Sequence, residues 1–200
     1  MYEKPIGLNG GRYAEAESPK PGDPVVGVLI FLASETMFFA GLVTAFLVSR
    51  AASLDWPPLG QPRLPVLATA FNSAFLLASG FTMWRALQDR RCDQANFQRW
   101  VAVTAGLGAI FLALQGVEWI RLLRFGLKAS SGLYGATFYT IVGAHALHVA
   151  AAVAVLLLVA LRARQRHLAD PAWRGVTACA IYWWFVVGLW PILYALVYLS

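Results

Sequence analysis

Residues 175–200 read GVTACAIYWWFVVGLWPILYALVYLS and contain no Asp, Glu, Lys or Arg. An α-helix of this length rises about 39 Å at 1.5 Å per residue, and the hydrocarbon core of a bilayer is only about 30 Å thick. A soluble protein can bury one such helix, but four more stretches of this chain have the same character. They are residues 24–49, broken only by Glu35, and residues 64–84, 100–117 and 129–161.

The composition leaves too little polar sequence to cover a soluble globule. The chain has 200 residues, of which 59% are hydrophobic and 13% are charged, whereas soluble domains carry about 25% charged residues. Lipid is the solvent that suits such a chain, because helices satisfy their own backbone hydrogen bonds there. We predict an all-α polytopic membrane protein, with a polar N-terminal arm at 1–23 and one five-helix transmembrane domain at 24–200. The predicted spans lie near 24–50, 64–88, 97–125, 132–163 and 171–199.

The basic residues indicate the orientation of the chain in the membrane. The formal net charge is +6, and the Lys and Arg residues sit mainly in the arm and in the short segments between spans. If the N-terminus is cytoplasmic, eleven of them lie on the inner side and five on the outer side. The positive-inside rule therefore predicts a cytoplasmic N-terminus and a periplasmic C-terminus. Topology accounts for the positive charge, so we predict no nucleic-acid partner.

Four acidic or histidine residues lie inside the predicted spans. Glu35 is about eleven residues into the first span, where a lipid-exposed carboxylate costs about 2.5 to 3.5 kcal/mol, so it must face protein, bind a partner or be protonated. His145 and His148 lie midway along the fourth span at positions i and i+3, which share a helix face. Their depth allows a hydrogen bond from Glu35 to a histidine. Glu118 is close to the outer end of the third span, near Arg121.

These residues admit three interpretations: a proton relay, a metal site or polar packing inside a helix bundle. A carboxylate-bridged di-metal bundle requires Glu-x-x-His motifs, and Phe38 occupies the histidine position after Glu35. A haem held by two histidines needs them on facing sides, whereas His145 and His148 lie on one helix. We predict no metal or haem site on this chain. Polar packing is the default interpretation, and a proton role for Glu35 stays open.

Four sequence blocks carry a family resemblance. They are ASETMFF at 33–39, LQGVEW at 114–119, GAHALHV at 143–149 and YWWFVV at 182–187, the last continuing through LWP at 189–191 to Tyr194 and Tyr198. In this order, on four of five spans, they resemble the signatures of subunit III of haem–copper cytochrome c oxidase. The resemblance extends from about residue 24 to residue 200. Longer members of that family have seven spans, and this chain resembles the short five-span form.

The resemblance implies a subunit without a catalytic centre of its own. In the family, subunits I and II carry the haems and coppers, and subunit III packs against subunit I. Subunit III also holds phospholipid in a cleft, supports proton uptake and protects the active site from inactivation during turnover. The implied function is that of an accessory subunit in a proton-pumping terminal oxidase, which reduces oxygen to water in the bacterial cytoplasmic membrane. Its partners would be subunit I, subunit II and membrane lipids.

The residues that we expect to matter follow from the spans and the motifs together. Glu35 matches the intramembrane carboxylate of the family. We predict a buried polar cluster and a set of packing or interface residues; the cluster is Glu35, His145, His148 and Glu118, and the packing set is Gln115, Tyr182, Trp183 and Trp184.

Two departures from the family pattern concern the last span and the lipid cleft. The usual family block, YWHFVD, has His where this chain has Trp184 and Asp where it has Val187, so we predict a drier fifth span. Longer members of the family have two more N-terminal helices, so the resemblance implies that this chain lacks one wall of the phospholipid cleft.

Several alternative functions remain open. The nearest are subunit III of a quinol oxidase and the accessory subunit of a nitric oxide reductase. A stand-alone proton or solute transporter using Glu35 is less favoured, because the sequence has no pair of interrupted spans. A cytochrome b-type redox protein is disfavoured by the placement of the histidines.

Overall fold

The computed structural model describes residues 22–53, 56, 58, 64–89, 93–165 and 170–199, with the backbone alone at 164–165 and 170–172. The described residues form five α-helices and no β-strand: α1 (Pro24–Ala51), α2 (Val66–Asp89), α3 (Gln94–Arg124), α4 (Leu133–Gln165) and α5 (Asp170–Tyr198). All five are long and apolar enough to cross a membrane. The prediction of five long apolar helices is confirmed. Most of the predicted polar arm, residues 1–21, lies outside the described residues.

The helix ends follow from local sequence. Asp23 caps α1, its carboxylate accepting a hydrogen bond from Val25 N at 2.9 Å, and Pro24 starts the helix where no N–H is needed. Asp93 caps α3 in the same way by accepting from Asn96 N. At the far end of α3, Gly126 adopts φ of 93°, and Leu127 N donates to Leu122 O. This left-handed glycine stops the helix and turns the chain towards α4.

Four of the helices form a closed ring, and the fifth lies outside it. α2 packs on α3, α3 on α4, α4 on α5, and α5 returns to α2. Among the described helices, α1 packs against α4 and α5 alone and therefore lies in the groove between them. Because α2 and α4 are diagonal in this ring, they do not pack on each other within the described residues.

Contacts at the two ends of the bundle show in which direction α1 runs relative to α4 and α5. At one end, Arg174 of α5 lies 3.4 Å from Asp23 at the start of α1. At the other end, Trp56 packs edge-on against Phe46 of α1 and Tyr134 of α4, with ring centroids 5.5 Å and 5.0 Å apart. α1 and α5 therefore run in the same direction, and α4 runs opposite to them.

The outer surface of the bundle is apolar. On α2, Leu67 and Phe71 are 85% and 68% exposed, and on α1 only Phe39 and Phe46 are buried. A soluble monomer rarely exposes apolar patches of this extent. The structure and its composition together describe a multi-pass membrane protein whose outer faces meet lipid or other subunits.

Candidate functional site

Glu35 and His148 join α1 to α4. The Nε2 atom of His148 lies 2.8 Å from Oε2 of Glu35, and the two side chains are only 17% and 16% exposed. On the other side of the imidazole, Nδ1–H donates to Ala144 O at 2.7 Å. Phe39 packs edge-on against the imidazole at 5.2 Å. The pair thus lies at the α1–α4 interface, next to the ring of Phe39.

The hydrogen bonds of His148 limit where protons can be. A backbone carbonyl only accepts, so Nδ1 must carry a hydrogen. Nε2 then either accepts from a protonated Glu35 or, as imidazolium, donates to the Glu35 carboxylate. In both cases one proton is shared between Nε2 and Oε2. This pair can hold a single proton inside the membrane-spanning region.

Glu118 belongs to a second polar group, built from α2, α3 and α5. Thr69 Oγ1 donates to Glu118 Oε2 at 2.8 Å, and Gln115 Nε2 donates to the same oxygen at 3.4 Å. Gln115 also reaches Tyr198 Oη at 3.2 Å. Asn72 Nδ2 donates to Gln115 Oε1 at 3.4 Å. Among the described residues, no Lys or Arg lies within ion-pair distance of Glu118, and the two side chains that donate hydrogen bonds to its carboxylate, Thr69 and Gln115, are neutral.

His145 stands apart from both polar groups. Its side chain is 0% exposed and stacks on Trp190 of α5, with ring centroids 4.9 Å apart and planes 18° apart. Phe111 of α3 meets it edge-on at 6.3 Å. His145 therefore points into the ring of four helices, whereas His148, one turn later, points at α1.

The four residues predicted as one polar cluster accordingly lie in three places. The structure brings Glu35 and His148 together, as their depth allowed. It places Glu118 with Thr69 and Gln115, and it buries His145 among aromatic rings. We expected His145 and His148 to face the same neighbours. They face different ones, because α4 packs on three helices at once.

The predicted packing residues of α5 face different neighbours. Trp183 is fully buried and lies over Gly108 of α3, where an added Cβ would come within 2.6 Å of its ring. Trp184 donates its indole N–H to Gly80 O of α2 at 3.1 Å. Tyr182 faces the α1 side, 6.0 Å from the ring of Phe31. Trp184 thus supplies a polar contact where the family pattern has histidine, within a helix that we expected to be drier.

Sequence reasoning missed the polar face of α2. Thr69, Asn72 and Ser73 are buried there, and Ser73 Oγ accepts a hydrogen bond from the indole of Trp190 at 2.7 Å. Their spacing of i, i+3 and i+4 marks one helix face, which was the available signal. Uncharged polar residues are common in membrane helices, so composition alone did not single them out.

Among the described residues, no three His, Cys, Asp or Glu side chains lie close enough together to hold a metal ion. The donor sets that exist are a carboxylate with one imidazole, and a carboxylate with neutral hydrogen-bond donors. Both fit proton holding and helix packing.

A bundle of five membrane-crossing helices, with paired polar side chains at its interfaces, defines the class of multi-pass membrane subunits. Comparison with known proteins gives the family, because a family model described as "Cytochrome c oxidase subunit III" matches residues 23–200. The chain belongs to this family and is a subunit of a haem–copper oxidase.

Curated relatives agree with the family match. Cytochrome c oxidase subunit 3 of Synechocystis sp. is 39% identical over 175 residues, covering 86% of this chain and 74% of the relative. The protein of the same name from Thermostichus vulcanus is 33% identical, covering 90% of this chain and 88% of the relative. The rabbit (Oryctolagus cuniculus) protein is 34% identical, covering 86% of this chain and 67% of its own length. The similarity therefore spans almost all of the transmembrane bundle.

Proposed function

We propose that this chain is the non-catalytic subunit III of a proton-pumping cytochrome c oxidase in a bacterial cytoplasmic membrane. It packs against subunit I, stabilises it and supports proton uptake during the reduction of oxygen to water. Haem and copper reside on subunits I and II, and phospholipid lines part of the interface. The N-terminus faces the cytoplasm and the C-terminus the periplasm.

The Glu35–His148 pair is the observation that carries this proposal. It sits at the α1–α4 interface, its side chains are mostly buried by the chain itself, and a hydrogen bond of 2.8 Å joins Nε2 of His148 to Oε2 of Glu35. A carboxylate paired in this way can be retained within a membrane without a metal. The wide apolar faces of α1 and α2 leave surface on which a large partner subunit can pack.

The supporting experiment is purification through an affinity tag on this chain in a mild detergent. We expect subunits I and II to co-purify, with a haem spectrum and with oxygen consumption driven by reduced cytochrome c. Activity with quinol alone, or reduction of nitric oxide, would assign the chain to one of the rival complexes. The chain expressed alone should show no Soret band; such a band would contradict the non-catalytic assignment.

A further inference from the structure

His145 has hydrogen-bonding capacity that the protein around it does not use. A neutral imidazole offers one N–H donor and one acceptor nitrogen. The side chain is 0% exposed, and neither Nδ1 nor Nε2 has a partner among the described residues. Buried polar groups in proteins are almost always paired with protein or with ordered water.

A partner subunit cannot supply the missing hydrogen bonds. His145 is enclosed by helices of this chain: Trp190 stacks against one face of the imidazole, and Phe111 meets it from α3. A subunit docked on the outer surface meets α1 and the outward faces of the ring of helices. Glu35 is engaged with the other histidine, His148. The partner of His145 must therefore be small enough to lie inside the bundle.

Asn72 shows a second unused atom in the same part of the bundle. Its side chain is 1% exposed, and Nδ2 donates to Phe111 O at 3.2 Å and to Gln115 Oε1. Turning the amide over would set its oxygen against two acceptors, so this orientation is the stable one. Oδ1 is then an acceptor that has no donor among the described residues.

His145 and Asn72 lie on the two diagonal helices, α4 and α2, and share a neighbour in Phe111. Both contact Phe111, Asn72 through the backbone carbonyl and His145 through the ring. The indole of Trp190 also spans the gap, because its ring stacks on His145 while its N–H reaches Ser73, the neighbour of Asn72. The two unused polar groups are thus connected through Phe111 and, by way of Ser73, through Trp190.

We propose that ordered water binds inside the bundle at His145 and connects it, through one or two molecules, to Asn72 Oδ1. Water is small, neutral and able both to donate and to accept, as the two groups require. One molecule donates to Asn72 Oδ1 and to the acceptor nitrogen of His145, directly or by way of a second. The N–H of His145 points away from that nitrogen and donates to a further water. Buried waters in proteins make about three hydrogen bonds each, and this site offers polar partners on two helices.

Such water would link α2 to α4, which do not pack directly on each other within the described residues. The inference concerns this chain alone and does not depend on the electron donor or on the metal centres of the oxidase. It adds an internal binding site for water to the assignment of the chain as subunit III.

Electron cryomicroscopy of the intact complex, at a resolution that shows ordered water, tests the proposal. We expect density about 2.7 to 3.2 Å from a ring nitrogen of His145 and from Asn72 Oδ1. Ring nitrogens that face only carbon atoms would overturn the proposal. So would a protein side chain bonded to them, whether from this chain or from another subunit.

A pair of variants gives a second test. His145→Phe should lose the density beside residue 145, whereas Thr140→Val should keep it, because Thr140 lies exposed on the same helix. Unchanged density in His145→Phe would show that His145 does not hold the water. If His145→Phe does not assemble, the wild-type map decides by itself.

Discussion

At the scale of single residues, His148 is held by two hydrogen bonds that leave only one proton to be shared with Glu35. The carbonyl of Ala144 takes the Nδ1 hydrogen, and Glu35 meets Nε2 at 2.8 Å. Orienting an imidazole through its second nitrogen is a common device where one nitrogen has a specific task. Here that task is to share a proton between Nε2 of His148 and the carboxyl group of Glu35.

Two substitutions of Glu35 distinguish the role of the shared proton from the role of the hydrogen bond to His148. In Glu35→Gln the amide N–H can donate to Nε2 of His148, so the helices stay joined while the shared proton is lost. We expect normal haem content and normal retention of this subunit, with faster inactivation during turnover. Glu35→Ala also leaves His148 without its partner and costs about 1 to 3 kcal/mol, so this subunit should dissociate more readily in detergent.

The matched control for both variants is Thr36→Val. Thr36 is the next residue and is exposed, and within the described part of the chain its hydroxyl donates to Leu32 O of its own helix. Its replacement should therefore change neither the retention of this subunit nor the rate of inactivation. Subunit retention is measured by gel densitometry, and inactivation by oxygen consumption over successive turnovers. Loss of haem in Glu35→Gln would contradict the assigned role.

Glu118 acts as the acceptor that joins α2 to α3. Glu118→Ala removes the oxygen that Thr69 and Gln115 share and should destabilise the bundle by about 1 to 3 kcal/mol. Glu118→Gln keeps an acceptor oxygen in place and should lose much less. The midpoint of thermal unfolding in detergent measures the difference, with Val117→Ala as the control, because Val117 is the preceding residue on α3 and its side chain is exposed. Equal losses in Glu118→Ala and Val117→Ala would exclude the packing role.

At the scale of secondary structure elements, small residues decide how closely the helices approach. Gly80 of α2 receives both Trp184 and Val187 of α5, and a Cβ there would lie 3.2 Å from Val187 Cγ1. Gly108 of α3 receives Trp183 and Val153. Membrane helices associate through such close packing, because lipid provides no hydrophobic drive between them.

Gly108→Ala should weaken the packing of α3 against α5 and α4. The new methyl would lie 2.6 Å from Trp183 Cη2 and 2.8 Å from Val153 Cγ2, and overpacking of this kind costs about 1 to 3 kcal/mol. Gly106→Ala is the control, since it lies on the same helix and would meet no atom within 4 Å. Thermal unfolding in detergent should show a lower midpoint for Gly108→Ala alone. Adding Trp183→Phe to Gly108→Ala should restore part of the lost stability, because the smaller ring removes the clashing edge. A wild-type midpoint in Gly108→Ala would contradict this geometry.

At the scale of the whole molecule, the ring of α2 to α5 with α1 outside it sets which surfaces meet lipid or other subunits. α1 buries only two side chains within this chain, so most of its surface lies outward. The turn between α3 and α4 lies at the end of the bundle where Trp56 packs on Tyr134. The positive-inside rule predicts that this end faces the periplasm.

Cysteine labelling tests this orientation. Ser130 is exposed in the turn between α3 and α4, so Ser130→Cys in a Cys92→Ala background should react with an impermeant maleimide on intact cells. The wild-type chain, whose Cys92 is predicted to lie on the inner side, should react only after the cells are opened. The reverse pattern would invert the topology. The remaining cysteine, Cys179, is buried in both proteins.

The sequence by itself determined the number of long apolar helices and the family motifs. These depend on local properties, namely the length of uncharged runs, the capping residues and the identity of short blocks. The tertiary structure alone decided which polar groups meet. Residues i and i+3 of a helix differ in direction by about 60°, and α4 packs on α1, α3 and α5. That angle is enough to send His148 to Glu35 and His145 into the bundle, because the neighbouring helices, rather than the spacing along the chain, determine what each side chain faces.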